Sequence, residues 1–288
     1  MTDKRMGVLG ATSLIGECLL PLLIDDGWQV NAFSRNPIVE PTDGVIWHRI
    51  DQSTSHESIP FWISLAPIWV LPDLFPQLEA SGIRRLVVLS STSRFTKEAS
   101  SDAAEQVLSK QLKDAEEKVI SWAEERRIEW IILRPTLIYG LGRDGNICEI
   151  AHFIKRYRVF PLVGRAQGLR QPVHAGDVAQ ACVAVLDHNE VSGRCYNLSG
   201  GETLSYRTMV ERVFQTLRLR THWLHLPLSL FRVALMVMRM VPRYRHWTPA
   251  MAERMNRDLV FDHSDAERDF GFRPKAFVLE DEDLPGTG

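Results

Sequence analysis

Met6-Gly7-Val8-Leu9-Gly10-Ala11-Thr12-Ser13-Leu14-Ile15-Gly16 decides the fold. A short apolar run enters a glycine turn, and the apolar stretch beyond continues to Ile24, so the segment reads as strand, turn, helix. A turn of this kind gathers unpaired N–H groups and the positive end of a helix dipole at one point, which favours an anion such as a pyrophosphate. Its glycines let the backbone approach that anion and let the helix pack on the strand. Because the turn heads a strand–helix–strand unit, a dinucleotide site is the expectation.

Working outward, Gly27 ends the helix and Gln29–Phe33 alternates as a second strand. Val45–Ile50, Phe61–Ala66, Arg85–Leu89 and Ile128–Leu133 read as four more, with helical stretches between several of them. The class is therefore α/β, a doubly wound parallel sheet. The clearest helix follows the fifth strand. Asp102 is placed to cap it, with Glu105 completing a capping box. Ala104, Val107, Leu108, Leu112, Ala115, Val119 and Ala123 form one apolar stripe along it. Beyond Gly140 the alternation weakens, although Val173-His174 and Tyr196–Leu198 read as short strands around a helix from Asp177 to Leu186. These signals divide the chain into a nucleotide-binding domain at 1–140, rejoined at about 172–200, and a smaller C-terminal region at 141–171 and 201–288.

Composition excludes several classes. The 288 residues are 45% hydrophobic and 24% charged, which is ordinary for a globular chain and argues against disorder or a multi-span membrane protein. With 34 basic against 36 acidic residues, no global excess points to nucleic acid. Cys18, Cys148, Cys182 and Cys195 contain no C-x-x-C pair and read as reduced thiols of a cytoplasmic protein. Nor does any ligand-spaced His cluster suggest a metal. The N-terminus has no signal-peptide apolar region. Leu224–Val241 is strongly apolar, but Pro227, Arg232 and Arg239 interrupt it, so no transmembrane segment is expected. That stretch reads as a helix over the cleft, with peripheral membrane or partner contact through 224–241 as the alternative. A monomer or homodimer is expected.

Five ordered landmarks carry a resemblance. Gly10 and Gly16 match a T-G-x-x-G-x-x-G turn in which Ser13 replaces the middle glycine. Ser90-Ser91-Thr92-Ser93 follows the fifth strand, and Arg134-Pro135-Thr136-Leu137-Ile138-Tyr139-Gly140 is similar to an R-P-x-x-x-Y-G segment. Arg170-Gln171-Pro172-Val173-His174-Ala175-Gly176-Asp177-Val178-Ala179 is similar to R-x-x-V-H-V-x-D-V-A, and Phe270-Gly271-Phe272-Arg273-Pro274 to a closing L-G-(aromatic)-x-P. In this order they resemble the extended short-chain dehydrogenases/reductases, the NAD-dependent, nucleoside-diphosphate-sugar epimerase and dehydratase group, as an atypical member. The resemblance implies a Rossmann fold and an NAD(P) cofactor held by Gly10, Thr12, Ser13, Leu14, Ile15, Gly16, Ser34, Arg35, Asp51, Ala66 and Pro135. Where an NAD enzyme would carry an acidic residue after the second strand, this chain has Ser34-Arg35-Asn36. An arginine can fork onto a 2′-phosphate, which favours NADP over NAD; the plainer reading of Arg35 is a solvated loop arginine.

The family's proton-transfer pair is a tyrosine with a lysine four residues on, which tunes the tyrosine pKa to its task. Tyrosines stand at 139, 157, 196, 206 and 244, and none has a lysine at that spacing. Two alignments of the long helix compete. Ser109-Lys110 puts Gln106 in the tyrosine place, whereas Ala115-Glu116-Glu117 puts Leu108 and Leu112 at the pair. Periodicity favours the second, because Gln106 and Lys110 point about 150–170° from the centre of the apolar stripe. Thr92 takes the family's hydroxyl position, or else caps a turn. Tyr139 is a candidate substitute acid, or a buried packing residue. Arg170 approaches a substrate diphosphate, or pairs with a surface carboxylate. His174 and Asp177 read as strand support and helix cap, with a catalytic pair as the sharper alternative. The leading expectation is an NAD(P)-dependent epimerase or reductase acting on a sugar-nucleotide-like or other small carbonyl or hydroxyl substrate through a non-standard acid. The competing one is a catalytically silent NADP(H) sensor or assembly scaffold.

Overall fold

Seven parallel strands build the central sheet of the computed structural model, which describes residues 4–35, 43–50, 58–227, 229–231, 233, 235, 240 and 247–286. In chain order the strands are β1 (Arg5–Leu9), β2 (Gln29–Ser34), β3 (Val45–Arg49), β4 (Phe61–Ser64), β5 (Arg85–Leu89) and β6 (Glu129–Pro135). The short β7 (Ile138–Tyr139), β8 (Phe160–Val163), β9 (Leu169–Arg170) and β10 (Val173–His174) precede β11 (Arg194–Leu198). Pairing gives the order β11-β6-β5-β4-β1-β2-β3, every ladder parallel. This is the doubly wound α/β sheet that the alternation of strand and helix signals predicts. Winding reverses between β1 and β4, and ligands of such sheets bind in the crevice beyond the carboxyl ends at that reversal.

The helices are α1 (Leu14–Asp25), α2 (Phe75–Ala80), α3 (Ser93–Thr96), α4 (Ala103–Arg126), α5 (Ile147–Tyr157), α6 (Ala175–Asp187) and α7 (Tyr206–Thr216), followed by short helices Pro249–Arg254 and Ser264–Phe270. On one face of the sheet Leu19 and Leu23 of α1 and Val178 and Val185 of α6 close a core over Val8 and Ile131. On the other, Leu112 and Val119 of α4 cover Leu86, Val88 and Trp62. Each such side chain is wholly or nearly wholly buried, and removal from water is worth about 1.5–3 kcal/mol apiece. A third core, built by Ile147, Ile154, Phe160, Met209, Phe214 and Phe277, lies in the chain after Gly140. Three two-stranded ladders frame that region: β7 with β10, β9 with β12 (Leu204–Ser205), and β8 with β13 (Trp223–Leu226).

Two sequence expectations for α4 are corrected. Asp102 does cap it, accepting from Ala104 N at 2.8 Å. Glu105, however, completes no capping box: the Asp102 N–H goes to Ser100 Oγ, and the Glu105 carboxylate accepts from Ser100 Oγ at 2.7 Å. The apolar stripe also starts later than its pattern suggests. Ala104 is exposed and Val107 is 65% exposed, while Leu112, Ala115, Val119, Trp122 and Ala123 are buried. The first turn of α4 extends past the core, so periodicity alone overreads it.

The apolar stretch 224–241 falls partly outside the described residues, including Arg232, Met236, Met238 and Arg239. Of its described residues, Phe231 and Leu235 are buried in the third core, whereas Leu230, Val233 and Met240 are exposed. Among the described residues no helix is long and apolar enough to cross a membrane.

Candidate functional site

The glycine turn sits at the end of β1, where the winding reverses. Gly10 has φ +75°, and a Cβ there would come within 2.8 Å of the backbone N of Ala66. A Cβ on Gly16 would come within 2.1 Å of the Ala11 carbonyl oxygen. Both glycines are thus sterically required, and they bring the turn against the loop after β4. Ser13, in the place of a middle glycine, caps α1: its Oγ accepts from Gly16 N at 3.1 Å. Thr12 is exposed, Leu14 half-buried and Ile15 buried. Ser34 is buried at the end of β2, and Arg35 follows it exposed to solvent. Asp51 lies outside the described residues. The cradle suits a dinucleotide pyrophosphate, because Gly10 and Gly16 keep side chains off the turn where the N-terminus of α1 presents its backbone N–H groups.

A cavity of about 700 Å³ opens beside the carboxyl ends of β5 and β6. Thr92 lines it; this threonine is buried, and its Oγ1 donates to the Pro135 carbonyl at 3.2 Å. It makes no side-chain cap for α3, so the turn-capping alternative is not the observed one. Pro135 thereby serves the site as an acceptor at the end of β6. Arg170 also lines the cavity. Its guanidinium donates to the carbonyls of Leu169 at 2.7 Å, Arg257 at 2.8 Å and Arg254 at 2.5 Å, and lies 5.4 Å over the Tyr206 ring. It forms no ion pair with a described carboxylate, so the surface-pairing alternative is set aside. Burial pushes the Arg170 pKa down to about 10. A buried cation held by carbonyl dipoles and an aromatic ring, with no carboxylate in salt-bridge contact, favours an incoming anion.

Sequence reasoning missed the other charges of this cavity. Lys97 lies 4.0 Å from Glu105, which also pairs with Arg254, and all three line the cavity. Burial holds the Lys97 ammonium below its usual pKa; Glu105 opposes that shift and Arg254 adds to it. Glu105 and Arg254 are 149 positions apart, so no local spacing announces them. Glu105 carries the one available signal, and it reads as a cap. On α4, Leu108 lines the cavity, while Lys110 points to solvent and pairs with Asp114 at 2.5 Å. Leu112, the other residue of the alignment that periodicity favours, is buried in the core beneath and does not line the cavity.

Tyr139 is not brought to the cavity. It is buried between His174 and Phe277, and its hydroxyl donates to the Val278 carbonyl at 3.2 Å. Burial, with Asp283 and Asp177 adding, raises its pKa. The candidate acid is therefore a packing residue. His174 and Asp177 likewise form no pair. His174 Nδ1 accepts from Gly176 N at 3.0 Å, capping α6, and its Nε2 lies 3.3 Å from Asp283. Asp177 accepts from Lys275 N at 2.9 Å, fastening the segment after Pro274. Behind the cavity, the fully buried Glu116 accepts from Ser90 at 2.5 Å and pairs with Arg94 and Arg134. Among the described residues no group of three or more His, Cys, Asp or Glu side chains could hold a metal ion.

Comparison with known proteins gives concordant results. Residues 73–199 match the NAD dependent epimerase/dehydratase family. UDP-glucose 4-epimerase of Vibrio cholerae is 23% identical over 120 residues, which are 42% of this chain and 37% of that one. The match thus spans little more than a third of that relative. The crystal structure of UDP-glucuronic acid 4-epimerase from Bacillus cereus in complex with NAD superposes with a TM-score of 0.71 at 15% identity, covering 97% of this chain and 95% of that one. UDP-glucose 4-epimerase from Thermotoga maritima, with UDP-glucose, gives 0.67 at 13% identity, covering 94% and 93%. At these identities the superpositions speak for the fold.

Proposed function

We propose that this chain, a member of the NAD dependent epimerase/dehydratase family through residues 73–199, is an NAD(P)-dependent epimerase or reductase of a small anionic substrate. The observation that carries the reading is the pairing of two features at one sheet edge. A sterically enforced glycine turn lies at the β1/β4 reversal, and a cavity holding Thr92 and the buried Arg170 opens beside β5 and β6. A bound nicotinamide supplies hydride transfer. Gly10, Thr12–Gly16, Ser34, Arg35, Ala66 and Pro135 are the residues proposed to hold the dinucleotide. Arg35, free of any acidic neighbour in Ser34, supports NADP over NAD.

The chemistry differs from the family's usual pair. Leu108, which lines the cavity, is proposed to take the place of the family's tyrosine. Thr92 is proposed to orient a substrate oxygen, and Lys97 to supply the proton, since its ammonium is held below its ordinary pKa in the same cavity. Arg170 is proposed to hold a substrate anion such as a sugar-nucleotide diphosphate. Residues 141–171 and 201–288 form the substrate-side region. Four unbridged cysteines support a cytoplasmic setting.

The test combines cofactor affinity with turnover. NADPH and NADH are titrated by calorimetry, and hydride transfer is followed on panels of UDP-sugars and small carbonyls. Arg35→Ala is expected to weaken NADPH at least tenfold while leaving NADH nearly unchanged. Equal losses would remove the NADP assignment, and tight cofactor binding with no turnover on any panel would overturn the enzyme.

A further inference from the structure

Polarity in the cavity is arranged along a line. The lining carries three cations, Lys97, Arg170 and Arg254, and three carboxylates, Asp102, Glu105 and Glu149. Glu105 pairs with Lys97 and Arg254, which leaves Arg170 as the cation of this lining with no described ion pair. Arg170 and Arg254 touch directly, through Nη2 and the Arg254 carbonyl at 2.5 Å. From the Arg170 guanidinium a succession of ring contacts leads away. Tyr206 lies 5.4 Å beneath it, Phe160 6.5 Å from Tyr206, Phe153 5.7 Å from Phe160, and Trp247 5.4 Å from Phe153. Phe153 stands behind the lining, whose apolar residues include Phe160, Met209, Phe231, Trp247, Met251 and Leu108.

A sugar presents hydroxyls on every side and needs donors and acceptors around it. An apolar wall leaves those hydroxyls desolvated without partners, which costs about 1–3 kcal/mol for each group. Methionines and aromatic rings instead reward an apolar body, and thioethers adapt to an irregular one. Thr248 Oγ1 is buried in the cavity lining with no partner among the described residues, adding a hydrogen-bonding group beside Trp247 to those of Thr92, Thr96 and Asn146 in the same lining.

We infer that the substrate is an anionic amphiphile: a phosphate or carboxylate head seated among Arg170, Arg254 and Lys97, and an apolar chain or ring lying along Tyr206, Phe160 and Trp247. The inference rests on the reading of this cavity as the substrate cleft and replaces its sugar with an apolar body. Head and body bind by separable physics, one screened by salt and the other carrying a negative heat-capacity change.

Decyl phosphate, below its micellar concentration, is titrated by calorimetry into the whole protein with and without NADPH. Inorganic phosphate, decyl glucoside and UDP-glucose are the comparators. Decyl phosphate is expected to bind at least tenfold more tightly than each comparator. Arg254→Gln and Met251→Gln, checked for native circular dichroism and unaltered NADPH affinity, are each expected to weaken it by fivefold or more. Tighter binding of UDP-glucose, parity with phosphate or decyl glucoside, or indifference to both substitutions would overturn the inference. NADPH affinity is read independently in the same experiment, so loss of the amphiphile leaves the cofactor assignment standing, and loss of NADPH binding leaves the amphiphile result standing.

Discussion

Arg134 holds the buried Glu116 carboxylate through two hydrogen bonds, Nε to Oε1 at 3.1 Å and Nη2 to Oε2 at 2.7 Å. Ser90 from the end of β5 and Arg94 from α3 complete the set, so one carboxylate of α4 ties together three elements that shape the cavity. Removing one partner of a buried pair typically costs about 3–5 kcal/mol, because the charge left behind stays desolvated. Glu116→Ala is expected to lower unfolding stability by about 3 kcal/mol or more, read from the urea midpoint at constant slope. Glu116→Gln, which keeps the shape and the acceptor for Ser90, loses less. A loss under 1 kcal/mol in the alanine variant would show that the cluster is not a structural tie.

Tyr139→Phe separates packing from chemistry. Its hydroxyl makes one hydrogen bond, to the Val278 carbonyl, and burial raises its pKa away from neutrality. The variant is expected to lose about 1 kcal/mol of stability, the usual worth of such a bond. Cofactor affinity and turnover are expected to match the wild type. A hundredfold drop in turnover at unchanged stability would restore Tyr139 as the acid.

The sheet was legible because its strands are short apolar runs with helical patterns between them, and Gly10 and Gly16 marked the reversal in the winding. Arg170 was legible as a candidate through its motif, yet its partners were not. They are backbone carbonyls of Arg254 and Arg257, set beside it by the irregular region after Gly201. Lys97 and Arg254 were illegible for the same reason, since charges that meet through tertiary packing leave no periodic trace. Glu105 misled because a carboxylate three residues after Asp102 has the spacing of a cap. In the folded chain the Arg254 cation and Ser100 outcompete the helix end for it.

Asp283 anchors the C-terminal segment. Burial acts to raise its pKa, but hydrogen bonds from His174 and from the N–H groups of Glu280 and Leu141 bring it below the ordinary carboxylate value. A carboxyl with a depressed folded-state pKa contributes stability that is fully present above its unfolded value, about 3.9, and is lost as pH falls through the lower folded value. Wild type is therefore expected to lose more stability than Asp283→Asn as pH drops from about 5 to about 2. Parallel acid-unfolding curves for the two proteins would refute the anchor.

Thiol reactivity reads the core directly, because only the thiolate is nucleophilic. Burial pushes Cys182 up to about 12. Burial and the hydrogen bond to Asp144, at 3.1 Å, do the same for Cys148. Burial also raises Cys18 and Cys195, although both remain partly accessible, and Arg134 and Arg94 partly offset the shift at Cys195. With Ellman's reagent at pH ~8, Cys148 and Cys182 are expected to stay silent in the native protein. Cys18 and Cys195 react slowly, and all four react in guanidinium. Rapid labelling of Cys182 in the native state would mean that the α1–α6 face is open.

Ser13 is where stability and cofactor binding oppose each other. Its Oγ satisfies the Gly16 N–H, which removes one donor from the first turn of α1. Ser13→Ala deletes that cap and is expected to cost about 1 kcal/mol, within the ordinary range for an N-cap serine. Ser13→Gly costs only a few tenths of a kcal/mol, since glycine is itself tolerated at an N-cap. It also frees the Gly16 N–H and removes the hydroxymethyl from the pyrophosphate approach. The glycine variant is accordingly expected to bind NADPH several-fold more tightly than wild type with little loss of stability, and the alanine variant to gain less affinity at greater cost. Calorimetric affinities paired with thermal midpoints for the three proteins check both orders. Weaker NADPH binding in Ser13→Gly would mean that the serine hydroxyl donates to the phosphate instead of crowding it.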